Sequence, residues 1–400
     1  MDLTNYFIRP MPGRDPEESH RAATTLELFY DLISVIAIAS AATALHHAIA
    51  EDHIGDGLIK FVAAFFAIWW AWMNFTWFAS AYDNNDVLYR IAVMIMMVGA
   101  LVFAAGIPYF FAETNSFFGV IGYVIMRLSM VSLWLRAAKH DPERRQTAYR
   151  YAIGITLCQI GWVLGFFLVP IESFLLFYGV MVICELLVPA VAENAAPTTW
   201  HMHHVVERYG LLTIIVLGES LLALTRAVEA TIDIKAVDPS LIVWIVAGLV
   251  IVFMMWWLYF SESDYIAFKS LGTGFLWGYG HFIIFAAATG VGVGLAVGVD
   301  VITDHAVVGQ MVAVTSVTIP AAIFVLGIWL VHEQFSAEGT MQKLLMPVTA
   351  LLILLCSFIP SGQVLTALIL VVCLVFKLNN QKRRALAHGA YVSVPNQSTN

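Results

Sequence analysis

Apolar segments of about 20 residues, separated by short polar loops, recur along the whole chain. A helix of about 20 apolar residues is long enough to cross the hydrocarbon core of a bilayer. The pattern therefore predicts an all-α polytopic membrane protein with twelve transmembrane helices. The predicted spans are residues 26–50, 57–79, 87–111, 117–138, 148–169, 171–191, 209–228, 240–261, 274–299, 307–331, 344–358 and 360–377.

Basic residues gather at alternate connections between these spans, which predicts their orientation. Loops rich in Lys and Arg stay in the cytoplasm under the positive-inside rule. Three segments are rich in basic residues: the N-terminal segment, the loop after the fourth span and the C-terminal tail. All three lie on the cytoplasmic side if both termini are cytoplasmic. The basic residues concerned are Arg9, Arg14, Arg21, Arg136, Lys139, Arg144, Arg145, Arg150, Lys377, Lys382, Arg383 and Arg384.

The spans also divide the chain into two halves of six helices each. We predict an N-terminal segment 1–25, a first half 26–191, a connecting segment 192–208, a second half 209–377 and a tail 378–400 that we expect to be disordered. Because six is even, both halves insert with the same polarity. They would then be parallel repeats related by an axis along the membrane normal, with a site between them near the midplane.

Several residues recur at matching positions of the two halves, in the same order. The pairs are Ser40 with Ser220, Trp69-Trp70 with Trp256-Trp257, Trp134 with Trp329, Pro170 with Pro360, and Cys184 with Cys373. A chance alignment of apolar helices is the alternative explanation, because each pair alone is weak.

Composition excludes several classes of protein. The chain is 60% hydrophobic and 12% charged, whereas soluble domains carry about twice that share of charged residues. The four cysteines lie inside apolar segments and indicate neither a disulfide framework nor a CxxC metal site. Basic residues are sparse and are explained by topology, so nucleic acid is not expected as a partner.

Four ionisable residues lie deep inside the predicted spans, away from their ends: Glu219, Arg127, Glu185 and His281. A charged side chain at a helix centre costs about 2.5–3.5 kcal/mol on insertion scales, so it must pair, face a cavity or carry a neutralising proton. Arg127 is the expected partner of Glu219 or of Glu185. Two interpretations stay open, a structural ion pair or a substrate or proton site.

A second polar group lies near the ends of the spans, where it could form a gate or a structural network. Glu27 and Asp31 are four residues apart and share one helix face. The carboxylates of the loop 82–86 and of the loop 262–264 could pair with Arg90 or Arg208, but we expect them to be solvated. The whole group is Glu27, Asp31, Asn74, Asp83, Asp86, Arg90 and Arg208, with Asn74 expected to bond between helices.

Two histidines and a carboxylate precede the seventh span. His201, His204 and Glu207 would lie on one helix face and could bind zinc or another transition metal. Arg208 adjoins the carboxylate, which favours the alternative of a polar collar at the membrane surface. No cofactor is required by the sequence.

Four segments together resemble the bacterial low temperature requirement A (LtrA) proteins. They are LELFYDL (26–32), WWAWMNFTWFASAYDNND (69–86), WHMHHVVERYGLLTIIVLGES (200–220) and WGYGHFIIFAA (277–287). The histidines and carboxylate above, with Arg208, match a His-x-x-His-x-x-Glu-Arg pattern of that family. The resemblance implies a multi-pass protein of the bacterial inner membrane, and it carries no activity with it.

Three functions therefore compete. The leading hypothesis is a secondary transporter of an unknown small solute, which could be proton-coupled, with Glu219 as the coupling carboxylate and Arg127 as its counter-ion. The second is a membrane sensor or organising protein needed for growth at low temperature. The third is an intramembrane metal-dependent enzyme, which is disfavoured because no nucleophile–base pair stands out. The lipid bilayer is the one partner that the sequence requires, and a homo-oligomer is compatible with it.

Overall fold

The computed structural model describes residues 8–19, 21–113, 117–229, 238–261, 271–334 and 340–387. Within these ranges the chain forms helices and no strands. The helices are α1 Thr25–Ala50, α2 Ile54–Tyr82, α3 Val87–Glu113, α4 Phe117–His140, α5 Arg145–Leu168, α6 Phe174–Glu193, α7 Met202–Glu229, α8 Pro239–Phe260, α9 Leu271–Ile302, α10 Gln310–Ile328, α11 Thr340–Cys356 and α12 Gly362–Ala387.

Eleven of the described helices are long and apolar enough to cross a membrane, and α11 is a shorter apolar helix. The protein is therefore a multi-pass membrane protein, as predicted. Helices α2 and α9 are the most deeply enclosed of the eleven. On α5 and α6, by contrast, large apolar side chains such as Leu164, Phe167 and Leu176 are exposed. Such a surface suits lipid rather than water.

Local capping explains where several helices begin. Thr24 and Glu27 form a capping box at the start of α1, in which each side chain accepts from the other residue's backbone N–H, at 3.3 and 2.6 Å. The α3 helix begins after Asp86, whose Oδ1 accepts from the backbone N–H of Tyr89 at 2.9 Å. The α8 helix begins at Pro239, a residue favoured at the first helical position.

Most boundaries differ from the sequence-based prediction by a few residues, and two differ by seven or more. The α7 helix begins at Met202 and not at residue 209, so the polar turn that includes Arg208 is part of the helix. The α12 helix continues to Ala387, so residues 378–387 of the predicted disordered tail are helical. In both cases polar residues continue a helix beyond its apolar stretch, which a hydropathy pattern does not register. The rest of the tail and the 262–264 loop lie outside the described residues.

The two halves share some of their packing. Helix α1 packs on α3, and α7 packs on α9. The Ser40 hydroxyl donates to the Ala104 carbonyl at 3.1 Å, and the Ser220 hydroxyl donates to the Ala288 carbonyl at 3.0 Å. The predicted correspondence of the two serines thus has a common geometry. The repeat itself stays a prediction.

The paired tryptophans of α2 and α8 do not share an environment. Trp69 and Trp70 are buried, whereas Trp256 and Trp257 are 47% and 45% exposed. The tryptophans of α2 thus pack between helices. The pair on α8 lies on the outer surface.

Candidate functional site

Helices α1 and α7 meet through buried charged groups at the end of the bundle where α1 begins, called here the N-terminal face. Glu27 and Asp31 of α1 are completely buried, as are His204 and Arg208 of α7. The i, i+4 spacing of each pair places both members on one helix face, so the two faces meet side by side.

Arg208 bridges the two carboxylates of α1. Its Nη1 lies 3.2 Å from Glu27 Oε1, and its Nη2 donates to Asp31 Oδ1. The guanidinium lies over the rings of Trp72 and Phe75, at 5.9 and 5.7 Å from their centroids. The Trp72 indole N–H donates to Asp31 Oδ1 at 2.7 Å. Helix α2 is thereby joined to the contact between α1 and α7.

A histidine, a second arginine and a third carboxylate extend this group. His204 Nε2 lies 3.0 Å from Glu27 Oε1. Arg21 Nη2 lies 3.9 Å from Glu27 Oε1 and 3.6 Å from Asp83 Oδ2, at the end of α2. We call the group the buried charge cluster, and its members are Arg21, Glu27, Asp31, Asp83, His204 and Arg208.

The cluster carries an odd number of fixed charges. Three carboxylates face two guanidiniums, so the group carries one negative charge in excess unless it holds a proton. Burial raises the pKa of Asp83 to about 6, with the nearby charge of Glu27 adding to the effect and Arg21 opposing it. An uncompensated buried charge is costly, so this group is expected to take up a proton as the pH falls towards 6.

Asp86, which was expected in solvent, is buried in a separate ion pair. Its carboxylate accepts from both terminal nitrogens of Arg136 and, at 2.7 Å, from the backbone N–H of Arg9. Burial raises the pKa of Asp86, but the charge and hydrogen bonds of Arg136, together with the backbone N–H groups of Arg9 and Tyr89, outweigh it and hold the pKa below its usual range. Asp86 therefore fastens the N-terminal segment to α3 and α4.

For the carboxylates of the 82–86 loop, neither the expected solvation nor the alternative pairing with Arg90 or Arg208 is found. Asp83 pairs with Arg21, and Asp86 pairs with Arg136, whereas Arg90 donates to the Asn85 side chain at 2.9 Å. The N-terminal segment folds back over the loop, and the loop's two carboxylates are buried while Asn85 stays exposed. A sequence pattern that counts loop polarity does not register such a cover.

Arg127 pairs with Glu185, one of the two partners predicted for it, at 2.7 Å between Nη2 and Oε2. Glu185 also accepts from four neutral donors, which are Trp70 Nε1, Tyr123 OH, Gln159 Nε2 and Trp162 Nε1, at 3.0–3.3 Å. A pair that is balanced and this fully hydrogen-bonded favours the structural interpretation. Glu219 is half-buried on α7 and forms no hydrogen bond or ion pair with the residues that the structure describes.

His281 lies in the second half, apart from that pair. Its Nδ1 contacts the Trp277 carbonyl at 2.8 Å, and its Nε2 contacts the Tyr259 hydroxyl at 2.9 Å. The rings of Tyr209 and His332 pack beside it, with centroids at 4.8 and 5.6 Å. His281 therefore contacts these residues of the second half, and it does not form a common site with Glu219.

His201, His204 and Glu207 do not converge on one point. His201 Nε2 contacts the Glu18 carbonyl at 2.8 Å, while His204 faces Glu27. Glu207 is exposed and accepts from the backbone N–H of Ala23 at 3.0 Å. No group of three metal-ligating side chains occurs in the described part of the chain. The arrangement matches the polar collar, although Glu207 pairs with a backbone group rather than with an arginine.

Asn74 also differs from expectation, because its side chain donates to the Trp70 carbonyl of its own helix at 2.8 Å. The sequence analysis treated Arg21 only as one of the basic residues that predict orientation, and it did not single out Trp72. It therefore missed both as members of one site. Trp72 and Asp31 are 41 positions apart, and Arg208 and Asp31 are 177 apart. No local signal connects such positions.

Comparisons with known proteins agree with the membrane architecture. The family model described as "Bacterial low temperature requirement A protein (LtrA)" matches residues 22–378. An uncharacterized protein of Rhizobium meliloti (strain 1021), RA0937, is 25% identical over 247 residues, which are 60% of this chain and 58% of that relative. The chain thus covers less than two thirds of that relative's length. No solved structure matches the chain.

Proposed function

The chain belongs to the bacterial low temperature requirement A (LtrA) family, and from this premise we propose that it is a proton-coupled secondary transporter of the inner membrane. Both termini lie in the cytoplasm in this proposal. The coupling site is the buried charge cluster, and the coupling carboxylate is Asp31.

The observation that carries the proposal is the odd charge of the cluster. A purely structural ion pair can be neutral, as Arg127 and Glu185 are. The cluster instead has three carboxylates for two arginines, all buried. Such a group binds one proton when closed to water and can release it when water enters. Ionisable residues inside membranes that exchange protons are typical of pumps and transporters.

The position of the cluster supports coupling to a conformational change. It joins α1, from the first half, to α7, from the second half. Gain or loss of a proton changes the attraction between these helices and therefore the relative stability of two arrangements of the halves. The matching serine contacts of α1 on α3 and α7 on α9 support two similar units that move against each other.

Asp31 is preferred to Glu219 as the coupling carboxylate for a geometric reason. Asp31 is completely buried between the halves and contacts Arg208 and Trp72. Glu219 is half-buried and has no cation partner among the described residues. Protonation of Glu219 would therefore change little in the contact between the helices, whereas protonation of Asp31 would weaken its bond to Arg208.

The test uses purified protein in liposomes that contain a pH-sensitive dye. A panel of amino acids, sugars and organic cations is added outside, and internal pH and radiolabelled uptake are followed. We expect at least one solute to move protons with the wild type. Asp31→Asn should abolish the pH change while still exchanging labelled for unlabelled solute, and the exposed Glu172→Gln variant should match the wild type.

The outcomes separate the competing functions. Uptake with no pH change in the wild type, or normal coupling in Asp31→Asn, would refute this proposal. Loss of coupling in Glu219→Gln alone would move the site to that carboxylate. No uptake of any solute, together with early melting of Asp31→Asn, would favour the organising protein.

A further inference from the structure

A pocket lies between the two halves at the N-terminal face, near but separate from the buried charge cluster. Its walls come from α2, α4, α5 and the end of α6 on one side and from the start of α9 on the other. It contains about 640 Å³ of space not filled by atoms, part of it open to the surroundings. Aromatic rings form much of its wall, namely Trp77, Phe78, Trp134, Tyr151, Trp200 and Tyr279.

One carboxylate, Glu193, also lines this pocket. It is 7% exposed and accepts three hydrogen bonds from neutral donors. The Tyr151 hydroxyl and the Thr198 hydroxyl donate to Oε1 at 2.8 and 2.9 Å, and the Thr198 backbone N–H donates to Oε2 at 2.8 Å. These bonds fix the position of the carboxylate but supply no positive charge.

Glu193 differs in this respect from every other buried acid that the structure describes. Eight carboxyl side chains are buried, and seven of them form an ion pair with an arginine or a lysine. Glu193 alone among these eight has no cation partner in the described chain. Buried carboxylates are normally paired or protonated, so Glu193 is the buried acid to which a cation from outside the chain could serve as partner.

The rings around Glu193 restrict what that cation can be. Trp134 stacks on Tyr151 with centroids 4.0 Å apart, and Trp77 meets Trp200 edge to face at 5.0 Å. Aromatic faces attract organic cations, and quaternary ammonium groups are the best-known ligands of such cages. A metal ion would need several oxygen, nitrogen or sulfur ligands instead. An anion would be repelled by Glu193, and a neutral apolar ligand would leave that carboxylate unpaired.

We propose that this pocket binds a small organic cation of the alkylammonium class, with Glu193 as its counter-ion and the surrounding rings as its walls. As a statement about the transported solute, this inference rests on the proposed transport function. As a statement about a binding site, it stands on the pocket alone. The cation can come from a free solute or from a choline-bearing lipid headgroup, since both present the same group.

The experiment measures binding to the full-length protein in dodecyl maltoside by calorimetry, with choline as the probe. Its neutral isostere 3,3-dimethyl-1-butanol has the same shape and no charge. We expect saturable choline binding, at least tenfold weaker binding of the isostere, and at least tenfold weaker choline binding to Glu193→Gln. Glu172→Gln, a carboxylate at the other end of the same span and exposed, is the matched control.

A second variant guards against a Glu193→Gln protein that fails to fold. Trp200→Leu keeps an apolar side chain at a half-buried position and removes one ring, so choline should bind several-fold more weakly while the isostere is unaffected. Equal binding of choline and the isostere, or unchanged choline affinity in both variants, would overturn the inference.

Further arms identify the source of the cation and separate the two proposals. If a short-chain phosphatidylcholine displaces choline and phosphatidylglycerol does not, the natural ligand is a lipid headgroup. If phosphatidylcholine does not displace choline, the natural ligand is a free solute. Choline binding without any proton movement in liposomes refutes the transport proposal alone. Asp31-dependent proton movement with other solutes, without choline binding, refutes this inference alone.

Discussion

Replacing Arg208 with Met tests whether the buried charge cluster holds α1 and α7 together. Arg208 is completely buried and is the cation that contacts both Glu27 and Asp31. Met has a similar length and no charge, so the two carboxylates would remain buried without their guanidinium. Removal of one partner from a buried ion pair costs about 3–5 kcal/mol. We expect the free energy of unfolding to fall by about that amount.

The measurement is unfolding by SDS in mixed micelles at neutral pH, followed by tryptophan fluorescence and far-ultraviolet circular dichroism. Asp31→Asn combined with Arg208→Met removes a charge of each sign, so we expect the double variant to recover part of the loss. Arg226→Met is the matched control, because Arg226 is exposed near the end of the same helix.

Two results would refute the reasoning about Arg208. The first is an Arg208→Met protein that unfolds at the same SDS fraction as Arg226→Met, since Arg208 would then stabilise nothing. The second is a double variant whose loss equals the sum of the two single losses. Residues in one network are coupled by about 0.5–3 kcal/mol, so strict additivity would place Asp31 and Arg208 in separate environments.

Three further predictions concern other parts of the molecule. Glu185→Gln should lower the free energy of unfolding by about 3–5 kcal/mol, because Arg127 would be left charged and buried; SDS unfolding like the wild type would contradict this. Burial raises the pKa of Asp83 from an ordinary value of 3.8 to about 6, so the folded state binds its proton more tightly than the unfolded state. The stability that this group contributes should therefore fall as the pH rises from about 4 to about 6. Asp83→Asn should make the melting temperature depend less on pH over that range; an unchanged dependence would mean that other groups cause it. Gly294 lies against the Ser316 backbone of α10, so Gly294→Ala and, still more, Gly294→Val should push α9 and α10 apart and lower the melting temperature; a wild-type melting temperature in both variants would mean that the helices do not need this close approach.

The membrane architecture could be predicted from sequence because it depends on local composition. Every predicted span has a helix in the structure, since a run of apolar residues has few alternatives in a bilayer. The boundaries were predicted less well where polar residues belong to a helix. Met202 begins α7 because the residues that follow, His204 and Arg208 among them, find partners inside the protein. That fact belongs to the tertiary structure.

The candidate site was predictable only in part, for the same reason. Glu27, Asp31 and Arg208 could be selected as polar residues on apolar helices, but their association could not. Arg127 could be matched to two carboxylates, and sequence alone did not choose between them. Glu193 was missed because it falls two residues past the predicted sixth span, where a carboxylate is unremarkable. Glu193 becomes a candidate binding residue only because distant segments of the chain form a pocket around it.

Helix α2 offers a physical connection between the proton and the pocket. Its indole groups reach three places: Trp70 donates to Glu185 at 3.0 Å, Trp72 donates to Asp31 at 2.7 Å, and Trp77 lines the pocket. The first contact is with a balanced ion pair and anchors the helix. The second is with the cluster that holds the proton. Trp72 and Trp77 are separated by about 7.5 Å along the helix axis, at 1.5 Å per residue.

A helix is stiff over that distance, so a shift at Trp72 is transmitted to the pocket wall at Trp77. Coupling between two sites requires an element with two arrangements that both sites bias. Under the two proposals above, α2 is that element, and its own hydrogen bond to Asp31 is the link. If this holds, Asp31→Asn alone should change the affinity of the pocket for choline. Trp72→Phe keeps a ring and loses the N–H donor, so adding Asp31→Asn to Trp72→Phe should leave choline affinity unchanged. If the response to Asp31→Asn persists in Trp72→Phe, the coupling does not pass through this bond.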